Sequence, residues 1–262
     1  MNIVVCVKQV PDTNEVKIDE EKGTLIREGV PSIINPEDRI ALEEAVKIKE
    51  EFGGKITVVS MGPPQAKESL LEAYAMGADE AILLSDRAFA GSDTWATAYT
   101  LSQAIKEIGD YDIVFCGRQA IDGDTAQVGP QVAENLQIPQ LTYVSEINLD
   151  KNKVNAKRQL EDGYSVVETE LPVLLTVVDG LNEPRYPSIK RIVDAYSSED
   201  TVKLWSVEDF SVDEDKLGLD ASPTQVYDTF VPTKDTKGEM LEGNAEEKVE
   251  KLVEKLKEEK VV

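Results

Sequence analysis

The segment with the clearest chemical capacity runs Gly117-Arg118-Gln119-Ala120-Ile121-Asp122-Gly123-Asp124-Thr125-Ala126-Gln127-Val128-Gly129-Pro130. Its glycines let backbone approach a ligand closely. A helix is expected over about Thr125 to Leu136. The Thr125 hydroxyl and the free N–H groups of the first helical turn can donate to phosphate oxygens. No lysine follows the glycines, so the segment is neither a Walker loop nor G-x-G-x-x-G. Asp122 and Asp124 sit awkwardly for a phosphate. Asp124 suits the helix N-cap, and Arg118 can offset the charge. By spacing alone the segment is equally a nucleotide cradle or a tight turn with a good cap.

Other reactive side chains are sparse. The chain contains no histidine, which removes the commonest general base and metal ligand and excludes Ser-His-Asp chemistry. Redox work by such a chain requires a bound cofactor. No catalytic residue and no metal site is expected. The two cysteines, Cys6 and Cys116, form no C-x-x-C pair. They end neighbouring strands, read as small buried residues, and suit a reducing cytoplasm. The Asn35-Pro36 helix start could face a ligand, although its local pattern is that of a cap. Trp95 and Tyr99 share a helix face and read as core.

The elements that position these groups alternate. Apolar runs at Asn2–Lys8, Ile56–Ser60, Ala81–Leu84 and Tyr111–Cys116 read as buried strands. Helices are expected from Asn35-Pro36-Glu37-Asp38 to Gly53, from Pro64 to Met76, and over Thr94–Ile108 with Asp93 or Ser92 as cap. A small hairpin is expected around Lys22–Gly23. Strand–helix alternation with apolar strands implies an α/β, Rossmann-like, mostly parallel sheet covered on both faces. Ligands of such sheets bind beyond the strand carboxyl ends, near the switch in strand order. After Pro139 the style changes. Leu141–Asn148, Lys153–Gln159, Ser165–Glu170 and Pro172–Val178 read as antiparallel additions at the sheet edge. Residues 1–196 form the α/β domain in this reading, and 197–262 form a C-terminal arm. Asn244 and Glu247 mark a capping box ahead of a last helix striped by Val249, Leu252, Val253 and Leu256.

Composition narrows the partners. The 262 residues carry a net charge of −23 and are 41% hydrophobic. That supports a sizeable core and argues against nucleic acid, whose phosphates need clustered Lys and Arg. No run of 18 apolar residues suggests membrane insertion, and the N-terminal MNIVVCVKQV reads as a first strand rather than a signal peptide.

Val7-Lys8-Gln9-Val10-Pro11-Asp12, the Asn35-Pro36 helix start, Met76-Gly77-Ala78-Asp79, Gly117 to Asp124, and Leu181-Asn182-Glu183-Pro184-Arg185-Tyr186 resemble the electron-transferring flavoprotein beta subunit in order and spacing over nearly the whole chain. The resemblance implies a heterodimer with an alpha subunit that carries a redox FAD, and an adenine nucleotide in this chain. Within the family that nucleotide is a structural AMP or a second FAD, which takes a hydride from NADH and splits its electrons. Asp86 to Thr94, Gly123 and Ser222-Pro223-Thr224-Gln225-Val226 resemble the FAD-holding, bifurcating group. The acceptors implied are an acyl-CoA dehydrogenase and ferredoxin or flavodoxin. Carried across, the family site comprises Cys6, Asn35 and Met61 beside the nucleotide, Thr94 and Thr97 near it, and a cradle of Gly117, Arg118, Gln119, Asp122, Gly123, Asp124, Thr125, Ala126, Gln127, Val128 and Gly129. The family's docking residue maps to Leu181, expected on an exposed loop. The acidic arm and last helix would wrap the alpha subunit, the alternative being a solvated tail. A rival of another class is a nucleotide-binding sensor resembling universal stress proteins.

Overall fold

A computed structural model describes residues 1–12, 17–18, 25–26, 31–227 and 238–261. In chain order the strands are β1 (Asn2–Cys6), β2 (Gln9–Pro11), β3 (Lys17–Ile18), β4 (Leu25–Ile26), β5 (Ser32–Ile34), β6 (Lys55–Met61), β7 (Glu80–Leu84), β8 (Ile113–Gly117), β9 (Gln140–Asp150), β10 (Lys153–Leu160), β11 (Gly163–Glu170), β12 (Val173–Val177) and β13 (Val202–Trp205). The helices are α1 (Pro36–Phe52), α2 (Lys67–Met76), α3 (Thr94–Ile108), α4 (Val128–Leu136), α5 (Ile189–Tyr196) and α6 (Ala245–Glu258).

One sheet dominates, with strand order β11-β10-β9-β12-β8-β1-β6-β7-β13. From β9 to β13 every neighbouring pair is parallel; β10 runs against the rest and pairs antiparallel with both β9 and β11. Both faces are covered, which is why the central strands are apolar without alternation. Ile3, Val5, Ile113, Phe115, Leu175 and Val177 pack against α1 and α2. The intervening Val4, Cys6, Val114, Cys116 and Leu174 pack against α3 and α4. The chain builds β1, β6 and β7 in one direction and then crosses back through α3 to place β8 on the other flank of β1. The strand order therefore switches between β1 and β8.

Several expectations change. The Pro172–Val178 segment does not add to an antiparallel edge. Its β12 lies inside the sheet, parallel to both β8 and β9, because all five side chains of Val-Leu-Leu-Thr-Val are buried. The boundary at 196/197 also shifts. β13 joins the sheet beside β7, and Phe210 and Leu217 enter the core with Phe89. The arm proper thus begins beyond Ser222, which is itself buried. An additional helix, α5, packs on α2, buries Ala195, and leaves Ile189 82% exposed. The hairpin expected around Lys22–Gly23 has its strands, β3 and β4, paired antiparallel, while its turn lies outside the described residues. Pro232, read from the sequence as a turn residue of the arm, lies outside them too.

The last helix has the expected capping box between Asn244 and Glu247. Its apolar stripe meets little of the chain: Val249, Leu252 and Val253 are 60%, 48% and 39% exposed. Among the described residues no helix is long and apolar enough to cross a membrane, and no cluster of side chains suits a metal ion.

Candidate functional site

The switch point between β1 and β8 opens a crevice at the strand carboxyl ends, where an open α/β sheet binds its ligands. The chain leaves β1 at Val7-Lys8 and leaves β8 at Gly117-Arg118, so two loops diverge from adjacent strands. Their first N–H groups would be orphaned without a common acceptor. Asp38, in the first turn of α1, accepts from Lys8 N at 2.8 Å through Oδ2 and from Gly117 N at 3.0 Å through Oδ1. Burial pushes the Asp38 carboxyl up to about 7, against the lowering effect of the Lys8 N–H, the Asn35 amide and the Gly117 N–H. Gly117 has to be glycine here, because a Cβ would lie 2.8 Å from Glu37 Cβ and closer still to Asp38.

Asn35 has a different role from the expected cap. Its side chain makes no capping bond to α1. Fully buried, it donates through Nδ2 to Gln119 O at 2.8 Å and accepts through Oδ1 from Ile121 N at 3.1 Å. Glu37 accepts from Gln119 N at 2.9 Å and pairs with the Arg118 guanidinium at 3.1 Å. Burial raises the Glu37 carboxyl, and the Gln119 N–H and Arg118 partly offset this. Arg118 also lies 5.9 Å from the centre of the Tyr143 ring.

The outer half of the loop is arranged differently. The α4 helix starts at Val128 with Gln127 as N-cap, three residues later than expected. Asp124 is therefore not the cap; it hydrogen-bonds the Gln119 amide instead. Asp124 and Ala126 both take left-handed backbone, with φ of 51° and 53°. For non-glycine residues this costs roughly 1–2 kcal/mol each, a strain that clusters at ligand sites. The result is a run of donors: the backbone N–H groups of Thr125, Ala126, Gln127, Val128 and Gly129 meet no acceptor among the described residues.

These residues fit a nucleotide. Donors at a helix N-terminus suit a pyrophosphate. A Cβ at Gly123 would meet nothing within 4 Å, so the loop tip faces open space. Gly129 lies against Thr176, where a Cβ would clash with the Thr176 methyl. The negative charge of Asp122 is offset by Lys8, whose Nζ lies 2.7 Å from both carboxylate oxygens.

Other expected site residues fall around the same crevice. Thr94 donates to Gln127 Oε1 at 3.0 Å, and Thr97 lies one turn further along α3. Met61 ends β6, half-buried. Cys6 and Cys116 are neighbours on β1 and β8, just beyond the Val5–Phe115 pair. The hydrogen bond with Cys6, burial and the nearby Asp38 charge hold the Cys116 thiol well above its usual range, which disfavours the reactive thiolate form. Asp93, the cap of α3, also holds the arm: its N–H donates to Ser222 Oγ at 2.8 Å and its carboxylate accepts from Thr224 N at 3.0 Å. The segments 86–94 and 222–226 thus meet at one edge of the crevice.

Lys8, Glu37 and Asp38 were not among the expected site residues. The signal was present, since acids at N2 and N3 beside an Asn-Pro start are visible in sequence, but it reads equally as a favourable helix beginning. Leu181 differs from expectation in another way. It is half-buried and packs against the core. Asn182 bonds Ile40 O and Glu44, and Arg185 grips Glu43 and Glu50. The exposed apolar groups beside it are Tyr186, at 91%, and Ile189.

A family model described as "Electron transfer flavoprotein domain" matches residues 22–213. The chain is 60% identical over 256 residues, covering 98% of both chains, to the electron transfer flavoprotein subunit beta of Thermoanaerobacterium thermosaccharolyticum. It is 54% identical over 264 residues, all of both chains, to the caffeyl-CoA reductase-Etf complex subunit CarD of Acetobacterium woodii. It is 46% identical over 267 residues, again all of both chains, to the acryloyl-CoA reductase electron transfer subunit gamma of Anaerotignum propionicum.

Proposed function

The chain belongs to the electron transfer flavoprotein family, among its beta subunits, and on that premise we propose that it holds an FAD in the β1/β8 crevice and, beside an alpha subunit, passes electrons from NADH to two acceptors. The observation that carries the reading is the run of free N–H groups from Thr125 to Gly129, opening beside an unobstructed Gly123. When bound, the isoalloxazine supplies hydride acceptance and one-electron transfer.

The chain's own residues bind and orient. Thr125 to Gly129 hold the pyrophosphate. Gly123 gives it room. Lys8 keeps the Asp122 charge from opposing it. Thr94 fixes the Gln127 side chain at the rim. No residue of the crevice is asked to move a proton, which agrees with the absence of histidine. Support for FAD over AMP comes from the resemblance of 86–94, Gly123 and 222–226 to the FAD-holding group. The caffeyl-CoA reductase-Etf complex relative is by its name part of a complex with a CoA-ester reductase, which supports a partner of that kind. The acceptors in this reading are an acyl-CoA dehydrogenase and ferredoxin or flavodoxin, in the cytoplasm. The dehydrogenase docks on the loop 179–187, which Leu181 braces from within while Tyr186 stands outside.

The test is a flavin count on the heterodimer. Two per heterodimer are expected, and Gly123→Asp, which puts a side chain and a charge where phosphate approaches, should lower the count to about one with the fold intact. Two flavins retained in the variant would place the site elsewhere. One flavin plus AMP in the native protein would assign the chain to the AMP-holding group.

A further inference from the structure

The chain holds only two cysteines, far apart in sequence, and the fold brings them to one point. Each is the residue next after the Val5–Phe115 pair on the adjacent parallel strands β1 and β8. Both side chains lie on the sheet face that packs against α3 and α4. The backbone is fixed from outside, because Cys6 is also paired with Val59 on β6 and Cys116 with Thr176 on β12. Adjacent strands lie about 4.8 Å apart, inside the roughly 4.4–6.8 Å between Cα atoms that a disulfide spans. The two thiols already meet through a hydrogen bond. A bridge between them asks for rotation of the side chains and little movement of the strands. Cys116 also lies beneath the first turn of α4: a Cβ on Gly129 would come 3.6 Å from the Cys116 Cβ. Gly129 ends the donor run that opens into the crevice. At 8% and 6% exposure, Cys6 and Cys116 admit a small solute but not another protein. Disulfides of a reducing compartment are ordinarily transient and redox-sensing.

We propose that Cys6 and Cys116 form a reversible disulfide that weakens nucleotide binding in the crevice, with a peroxide as oxidant and a small dithiol as reductant. The effect on binding rests on the nucleotide reading above; the bridge itself does not. Cys116 is held as the thiol, so the attacking sulfur is that of Cys6. As thiolate it attacks one peroxide oxygen, the O–O bond breaks, hydroxide leaves and takes up a proton, and a sulfenic acid remains on Cys6. The Cys116 sulfur then displaces the sulfenic hydroxyl as water, and the S–S bond forms. The two thiols give up two electrons and two protons, and hydrogen peroxide becomes two waters. A dithiol reverses the step by exchange and leaves as its own disulfide. Bridging draws the sulfurs from hydrogen-bonded contact to about 2.05 Å. That shifts the packing under Gly129, on which the start of α4 and its N–H groups sit.

The heterodimer is reduced, stripped of exchangeable nucleotide, treated with hydrogen peroxide and freed of it. Remaining thiols are alkylated and the peptides are weighed. In parallel, FAD is titrated by quenching of flavin fluorescence before oxidation, after it, and after dithiothreitol. The expected result is a linked Cys6–Cys116 peptide, lighter by two hydrogen atoms than its two parts. The dissociation constant should rise about tenfold with it and return on reduction. Cys6→Ser and Cys116→Ser, each compared with itself before and after peroxide, should show neither change, which separates this pair from oxidation elsewhere in the heterodimer. Both thiols still alkylated after peroxide, or sulfinic acid without a linked peptide, overturns the bridge. A linked peptide with binding within about twofold of the reduced protein overturns the control of binding. If the reduced native protein binds FAD no better than Gly123→Asp, the nucleotide reading fails, while the linked peptide still decides the bridge.

Discussion

Arg185 offers a quantitative test of how the loop 179–187 is held. Its guanidinium donates to Glu43 Oε2 at 2.8 Å and Oε1 at 3.1 Å, and to Glu50 Oε1 at 2.5 Å and Oε2 at 3.0 Å. Its backbone N–H adds a bond to Glu43 Oε2 at 3.1 Å. The two halves of this clamp are unequal. Glu50 has a side chain 59% exposed, so that pair contributes about 0–1 kcal/mol. Glu43 is 5% exposed, and removing the partner of a buried charge costs about 3–5 kcal/mol. Arg185 is itself 35% exposed, so water can partly replace it, and the Glu43 half is discounted to about 2 kcal/mol. Arg185→Ala should therefore destabilise by roughly 2–3 kcal/mol. Glu43→Gln removes the buried charge in advance. A double-mutant cycle should return a coupling of about 2 kcal/mol, read as denaturant midpoints of the heterodimer at constant slope. A coupling below about 0.5 kcal/mol would mean that the loop is held by the Asn182 bonds and by Leu181, and that the ion pair is incidental.

Three further outcomes are expected. Deleting α6 should weaken heterodimer formation, since Val249, Leu252 and Val253 would each contribute roughly 1–2 kcal/mol if buried on the alpha subunit; co-purification of the truncated chain at native yield would contradict this. Leu181→Ala should slow electron delivery to the dehydrogenase while leaving reduction of the flavin by NADH unchanged, with a midpoint loss of about 1–3 kcal/mol because the side chain packs against the core; equal losses in both rates would reduce Leu181 to a fold residue. The Asp38 carboxyl, raised from 3.8 to about 7, contributes stability that is fully present below about pH 4 and is lost as pH rises through about 7. The native protein should accordingly lose on the order of a few kcal/mol relative to Asp38→Asn between those limits, measurable as the difference of their denaturation midpoints across pH, and a constant difference would show that the group does not titrate there.

Sequence alone determined the layered α/β class, because buried parallel strands must be apolar throughout and helices must show an apolar stripe and caps. α3 covers the expected Thr94–Ile108 with Asp93 as its cap, and the capping box of α6 is a four-residue signal. The loop from Gly117 to Gly129 was equally visible, since glycine near a helix start limits what the backbone can do. Tertiary structure alone decided what lies beneath that loop. Asn35 and Asp38 looked like a helix cap and a first-turn acid, because local pattern reports only local partners, and their actual partners lie 30 residues back, at Lys8, and 79 to 86 residues ahead. The same limit hid the place of β12, which was expected as a strand but at the edge, and the existence of β13. A largely apolar run such as Val-Leu-Leu-Thr-Val reads alike at an edge or in the middle of a sheet, and strand order is set by which faces remain to be covered once the rest of the chain has packed.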